Sequence, residues 1–267
     1  MINTKVKEFY KNLEQGIQNI KNSEEWLELL AFQAKFHNYS FNNTLLIWFQ
    51  YPEASYVKGF VDWNKLGRTV KKGSKSIKIF APVIKTKEDE KGNKKRYMVN
   101  VKITNIFDIS QTEGPDVPTL IQGIQGSSEP AKLIINRINE LYPVKNIQGS
   151  IYSAKGSTNG NDINVKEFLS DKHRAKTLVH EVCHYKVDFI KDNPEKPSRA
   201  SMETVAEGTA YVVCKYFGLD TSEYSFSYVK SWCDDSELIK EVGQKIQKTA
   251  AEIIKEIETV NTEEVAV

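Results

Sequence analysis

His180-Glu181-Val182-Cys183-His184 is the stretch on which the reading of this chain turns. On a helix, residues four apart project from one face a single turn apart, so His180 and His184 present two imidazoles to one metal ion. Leu178, Val179 and Val182 supply the apolar flank that a buried helix needs. Only four histidines occur in the whole chain, and two of them fall in these five residues. Glu181 follows the first ligand directly, beside the ion but not bound to it. There it can take a proton from a metal-activated water and return it to a leaving amine. The pattern predicts a zinc-dependent hydrolase of peptide bonds with Glu181 as general base.

A catalytic zinc takes three protein ligands and keeps a fourth position open. No histidine follows His184, so the third ligand is expected to be a carboxylate. The next apolar segment offers Glu203-Thr204-Val205-Ala206-Glu207-Gly208-Thr209-Ala210-Tyr211. Small residues around Glu207 would let this helix press against the histidine helix, which makes Glu207 the expected ligand. Glu203, one turn earlier, would hold a ligand histidine by its other ring nitrogen. Spacing leaves open an exchange of these two roles. This segment resembles the third-ligand region of gluzincin peptidases, in which a glutamate follows His-Glu-x-x-His on the next helix. Tyr152, Tyr185, Tyr211 and Tyr228 are candidate donors to a developing oxyanion. Cys183 reads as a small packing residue.

Outward from the motif, three helices are expected at about 166–190, 200–217 and 235–258. They are preceded by a hairpin of Ile151-Tyr152-Ser153 with Asp162-Ile163-Asn164-Val165, and by a helix from about Pro130. Residues 110–129 are rich in Gly, Pro, Ser and Gln and read as a boundary. Ahead of it, residues 6–36 carry two helical periodicities and a third helix opens near Tyr39. Ile77–Phe80 should pair with the alternating stretch Tyr97–Phe107, joined by an exposed connection over 85–96. The expected organisation is α+β in two domains: 1–112, a linker at 113–129, and 130–267.

The chain has 267 residues and a net charge of +2, with three irregularly spaced cysteines. No apolar run approaches a membrane span of about 18–20 residues, and the amino terminus lacks the apolar core of a signal peptide. A cytoplasmic setting is expected, without a membrane partner. The near-neutral total hides a basic stretch. Seven basic residues fall between Lys58 and Lys78 against the single acid Asp62. Lys65, Arg68, Lys71, Lys72 and Lys75 lie there, with Trp63 and other aromatics among and before them. Basic groups follow phosphates and aromatic faces stack on unpaired bases, which points to single-stranded nucleic acid.

Tyr39-Ser40-Phe41-Asn42-Asn43, Gln50-Tyr51-Pro52-x-Ala54, Gly59-Phe60-x-x-Trp63 and Leu66-Gly67-Arg68-x-Val70-Lys71-Lys72-Gly73-x-Lys75 together resemble the N-terminal domain of ArdC-type antirestriction proteins. The C-terminal half, through His180-Glu181-x-x-His184 and Glu203-x-Val205-Ala206-Glu207, is similar to that family's zincin-like metallopeptidase domain. The resemblance implies single-stranded DNA as a partner, with Tyr39 and Asn43 added to the contact residues. It also implies carriage on a mobile element, a role in antirestriction or DNA protection, and a protein or peptide substrate left undefined. The alternative it leaves is a DNA-binding protective or conjugation accessory protein whose metallopeptidase domain is structural or inactive.

Overall fold

The computed structural model describes residues 4–18, 20, 23–88, 94–117, 130–149, 154–189, 198–221 and 236–259. The chain forms two compact units, residues 1–20 with 42–117, and residues 21–41 with 118–267. The architecture is α+β. The expected first domain, 1–112, and the first unit share 1–20 and 42–112, while 21–41 cluster with the second unit. Most of the expected linker, from 118 on, lies outside the described residues.

In the first unit, helix α1 (Thr4–Gln18) buries Val6, Leu13 and Ile17 at helical spacing, and α3 (Phe41–Gln50) buries Leu45, Leu46 and Ile47. The sheet has the order β1-β4-β3 and is antiparallel throughout, from β1 (Val57–Gly59), β3 (Ile77–Glu88) and β4 (Lys94–Asp108). Helix α3 covers the free edge of β3 with side-chain amides. Asn43 donates to the Phe80 carbonyl and accepts from the Phe80 amide, both at 2.9 Å. Gln50 does the same for Lys78, at 2.8 and 3.0 Å. Edge groups that would otherwise invite another strand are thus satisfied.

A short helix α4 (Phe60–Lys65), not legible as such in the sequence, sets Trp63 fully into the core, where its indole donates to the Phe107 carbonyl. A two-stranded pair of β2 (Thr69–Val70) with β5 (Thr112–Glu113) closes the unit. The β3–β4 pairing holds as expected at Ile77↔Ile106, but the strands run on through the charged segment to Glu88↔Lys94. Only 89–93 of the expected connection lie outside the described residues, and hydrogen bonding carries the ribbon that far without apolar burial.

The second unit is helical, with one small sheet. It comprises α2 (Ser23–Lys35), α5 (Pro130–Leu141), α6 (Asp171–Val187), α7 (Arg199–Tyr216) and α8 (Ser236–Glu258). Its sheet has the order β6-β8-β7, from β6 (Val144–Ile147), β7 (Gly156–Thr158) and β8 (Ile163–Lys166). β6 runs parallel and β7 antiparallel to the buried central strand. The expected hairpin therefore differs: β8 pairs with Gly156–Thr158, which lie between the two expected strands, and Ile151-Tyr152-Ser153 lie outside the described residues. β6 escaped notice because an exposed edge strand shows no apolar alternation.

Helix α6 is buried on most sides, including Ala175, Leu178, Val179, Val182 and Cys183. Gly208 of α7 faces α8, where an added Cβ would stand 2.3 Å from Ile246. The small residue expected to serve the α6 contact thus admits α8.

Candidate metal centre

His180 and His184 leave α6 on one face, and their Nε2 atoms approach to 3.0 Å. Glu203 of α7 completes the convergence, with Oε2 3.5 Å from His180 Nε2 and 3.7 Å from His184 Nε2. Glu207, one turn on, stands behind His180, its Oε1 3.2 Å from Nδ1. The positions expected of the two glutamates are therefore exchanged. Glu203 meets the ring atoms that face each other, and Glu207 meets the rear nitrogen. The reason is the crossing of α6 and α7, which sequence spacing does not specify. Behind Glu207, Lys176 of α6 forms an ion pair at 2.7 Å. His184 is held in the same way by Asp188, 2.5 Å from its Nδ1. Asp188 went unnoticed in the sequence, although its spacing of four from His184 repeats that of the two histidines.

A carboxylate only accepts hydrogen bonds, so Glu207 and Asp188 place a proton on each rear nitrogen and leave the facing nitrogens as lone pairs. Two lone pairs and a carboxylate oxygen then point at one another. That is an arrangement a cation stabilises, and three ligands of one tetrahedral ion stand roughly 3.4 Å apart. Among the described residues, His180, His184 and Glu203 are the group able to hold a metal, their ligand atoms lying within 4.8 Å of one another. Without the ion a proton takes its part. Burial opposes a charge on His180, but the bonds to Glu203 and Glu207 outweigh it and raise its pKa to about 9. Glu203 is lowered chiefly by its bond to His180. Burial pushes Glu207 up, but His180 and Lys176 bring it below the usual carboxylate range.

Glu181 is 6% exposed and lies against the edge strand β7. At Gly156 an added Cβ would come within 2.8 Å of its Cγ and Oε1. Burial raises the Glu181 pKa, partly offset by the two histidines. Both groups open onto a cleft of about 660 Å³, lined by β7, His173, Lys176, Thr177, Phe189 and Met202 as well as the cluster. His173 is kept low, first by burial and then by Lys155, Lys172 and Lys176. Cys183 is buried and pushed up to about 12, as befits a packing residue. Tyr211 is buried and Tyr185 meets Tyr142 edge-on; neither lines the cleft. Tyr152 and Tyr228 lie outside the described residues.

The residues expected to meet nucleic acid divide. Trp63 is 0% exposed and has no face for a base. Arg68 is 8% exposed, and its guanidinium donates to Thr112 Oγ1 and to the carbonyls of Thr112, Gly114 and Pro115. These two are corrected to core positions, because closing α4 and the β2–β5 pair consumes both. Asn43 is spent on the β3 edge. Tyr39 belongs to the second unit, its carbonyl accepting from Gln247. Lys65, Lys71, Lys72 and Lys75 are exposed, Lys65 pairing with Asp62 and Lys71 donating to the Ser110 carbonyl.

Residues 2–108 match the family of N-terminal domains of the anti-restriction factor ArdC. Over this span the chain has an ArdC-type N-terminal domain. The solved structures of the antirestriction protein ArdC from plasmid R388 share the fold. The metal-free form superposes with a TM-score of 0.52 at 23% identity, covering 82% of this chain and 85% of that one. The Mn(II)-bound form gives 0.51 at 20% identity, covering 86% and 92%. An uncharacterized Bacillus anthracis protein, pXO2-81, is 29% identical over 289 residues, covering 88% of this chain and 48% of its own length. The chain thus spans about half the length of that relative. No helix among the described residues is long and apolar enough to cross a membrane.

Proposed function

We propose that this chain is an ArdC-type, metal-dependent peptide hydrolase whose second unit is a zincin-like domain, and that it serves antirestriction or DNA protection on a mobile element. The observation that carries the reading is the convergence of His180 Nε2, His184 Nε2 and Glu203 Oε2, each ring backed by a carboxylate, beside the buried Glu181. His180, His184 and Glu203 would hold the ion, and Glu207 would orient His180. A set of two imidazoles and one carboxylate suits zinc, and it accepts manganese, the ion of the Mn(II)-bound ArdC neighbour. The ion, when bound, supplies Lewis-acid polarisation of a water and of a carbonyl oxygen.

The chain's own residues supply the rest. Glu181, with its pKa raised by burial, takes the proton from the attacking water at its carboxylate and returns it to the leaving amine. Among the described residues β7 is an edge strand on the cleft, so an extended peptide can add to it through backbone hydrogen bonds. Single-stranded DNA is the proposed partner of the first unit, and the setting is cytoplasmic. Holding a peptidase on DNA would raise its concentration near proteins that handle the same strand.

Glu181→Gln tests the reading. It should abolish hydrolysis of an unstructured protein substrate while metal content and DNA binding stay as in the wild type. DNA protection in cells that survives this change undiminished would instead favour a DNA-binding protective or conjugation accessory protein with an inactive metallopeptidase domain.

A further inference from the structure

We propose that one face of the β3–β4 ribbon, carrying Lys85, Lys87, Lys95 and Tyr97, is a contact for single-stranded nucleic acid. The inference rests on the reading of the first unit as nucleic-acid-binding and gives that contact a place outside the 65–75 segment. Past the irregularity between Val83 and Ile84, the register pairs Lys85 with Tyr97 and Lys87 with Lys95. Directly paired residues share a face of an antiparallel ribbon, as do residues two apart. The four residues therefore share one face, three lysines with one tyrosine. Ile84, Thr86, Glu88, Arg96 and Met98 occupy the opposite face, so the described acid of the ribbon is on the other side.

Two features of this face are costs to the free protein. Lys87 directly opposite Lys95 is a like-charge pair, which destabilises a ribbon. Tyr97, the aromatic ring of this face, is 44% exposed. Nothing is gained in core burial, because the ribbon is exposed on both faces from Ile84 to Glu88 and from Lys95 to Asn100. A polyanion removes the first cost by neutralising the lysines, and an unpaired base stacked on Tyr97 removes the second. Duplex DNA offers the phosphates but keeps its bases stacked on each other, so the aromatic centre of the face selects the single strand. The 65–75 segment is less suited. Its Arg68 and the preceding Trp63 are buried, and Lys65 and Lys71 are already engaged.

The test is fluorescence anisotropy with the full chain and a labelled single-stranded oligo(dT), over a series of salt concentrations. Lys85→Gln/Lys87→Gln/Lys95→Gln should weaken binding at least tenfold at low salt and flatten the log–log salt dependence by about 2, as the loss of three phosphate contacts requires. Tyr97→Ala should cost about tenfold, and Tyr97→Phe should restore binding because the ring and not the hydroxyl stacks. None of these variants should lower the thermal midpoint of the wild type, since the altered side chains are exposed and the triple variant removes a like-charge pair. A wild type that binds, with a triple variant unchanged in affinity and salt slope, overturns the inference and leaves the nucleic-acid reading standing. A wild type that binds no oligo(dT) overturns both. Duplex of equal length bound equally well, or poly-glutamate competing as well as oligo(dT), would make the face a general polyanion surface and also overturns it.

Discussion

His180 shows how the groups behind a ring decide which of its nitrogens faces forward. Its Nδ1 faces Glu207, which Lys176 holds in turn, so the Nε2 lone pair points forward toward His184 and Glu203. The two glutamates should therefore respond differently to neutralisation. Glu203→Gln is expected to lose bound metal in elemental analysis of the purified protein. Glu207→Gln should keep it with about 10–100-fold weaker affinity, measured by chelator competition. Equal losses in both would return Glu207 to the ligand set.

A second histidine carries a pH effect distant from the cleft. His37 is buried with its ring edge-on to Tyr216, and burial holds its pKa below the ordinary 6.5 despite the Ala34 carbonyl and Glu258. The unfolded chain therefore takes up a proton that the folded chain refuses. Stability from this residue is full above pH 6.5 and falls as the pH drops through 6.5 toward the folded pKa. Denaturant midpoints for the wild type and His37→Gln should diverge less at pH 5 than at pH 8. A constant gap would mean that His37 titrates alike in both states.

Among the elements, β7 and α6 are matched by a missing side chain. Gly156 sits where a Cβ would meet Thr177 Cγ2 at 2.7 Å and the Glu181 carboxylate at 2.8 Å. Gly156→Ala should displace Glu181 and lower the rate of hydrolysis about 100-fold, the order of loss expected from an ångström of misplacement. The fold should lose no more than about 1–3 kcal/mol, because the crowded strand is at an edge and can shift. Activity assayed beside thermal unfolding separates the two effects, and a variant of full activity would show that Glu181 is held by something else. The α6–α7 crossing works in the opposite way: it brings Glu203 to the histidines through packing that no local signal announces.

For the whole molecule, the order of the chain and the order of the fold part company at α2. Gln33 of α2 donates to the Gly243 carbonyl, and Gln247 of α8 donates to the carbonyls of Phe36 and Tyr39. Residues 21–41 thus cap backbone groups on, and accept from, a helix more than two hundred positions away. A fragment beginning at Pro118 lacks this partner and should be less stable than the same fragment supplied with a peptide of residues 21–41. Thermal shift with and without the peptide measures this, and no shift would mean that the second unit stands without α2.

How much of this was legible follows from range. The sequence alone determined the longer helices, the start of the β3–β4 pairing and the spacing of His180, Glu181 and His184. Helical periodicity, strand alternation and a spacing of four are all settled by backbone geometry within a few residues. Only the tertiary structure decided that Glu203 meets the ring nitrogens while Glu207 stands behind, that Trp63 and Arg68 are core, that Gly156 seats Glu181, and that α2 belongs with α8. Each of these depends on which buried group finds a partner far along the chain, and hydrogen bonding and close packing select that partner only once the helices have crossed.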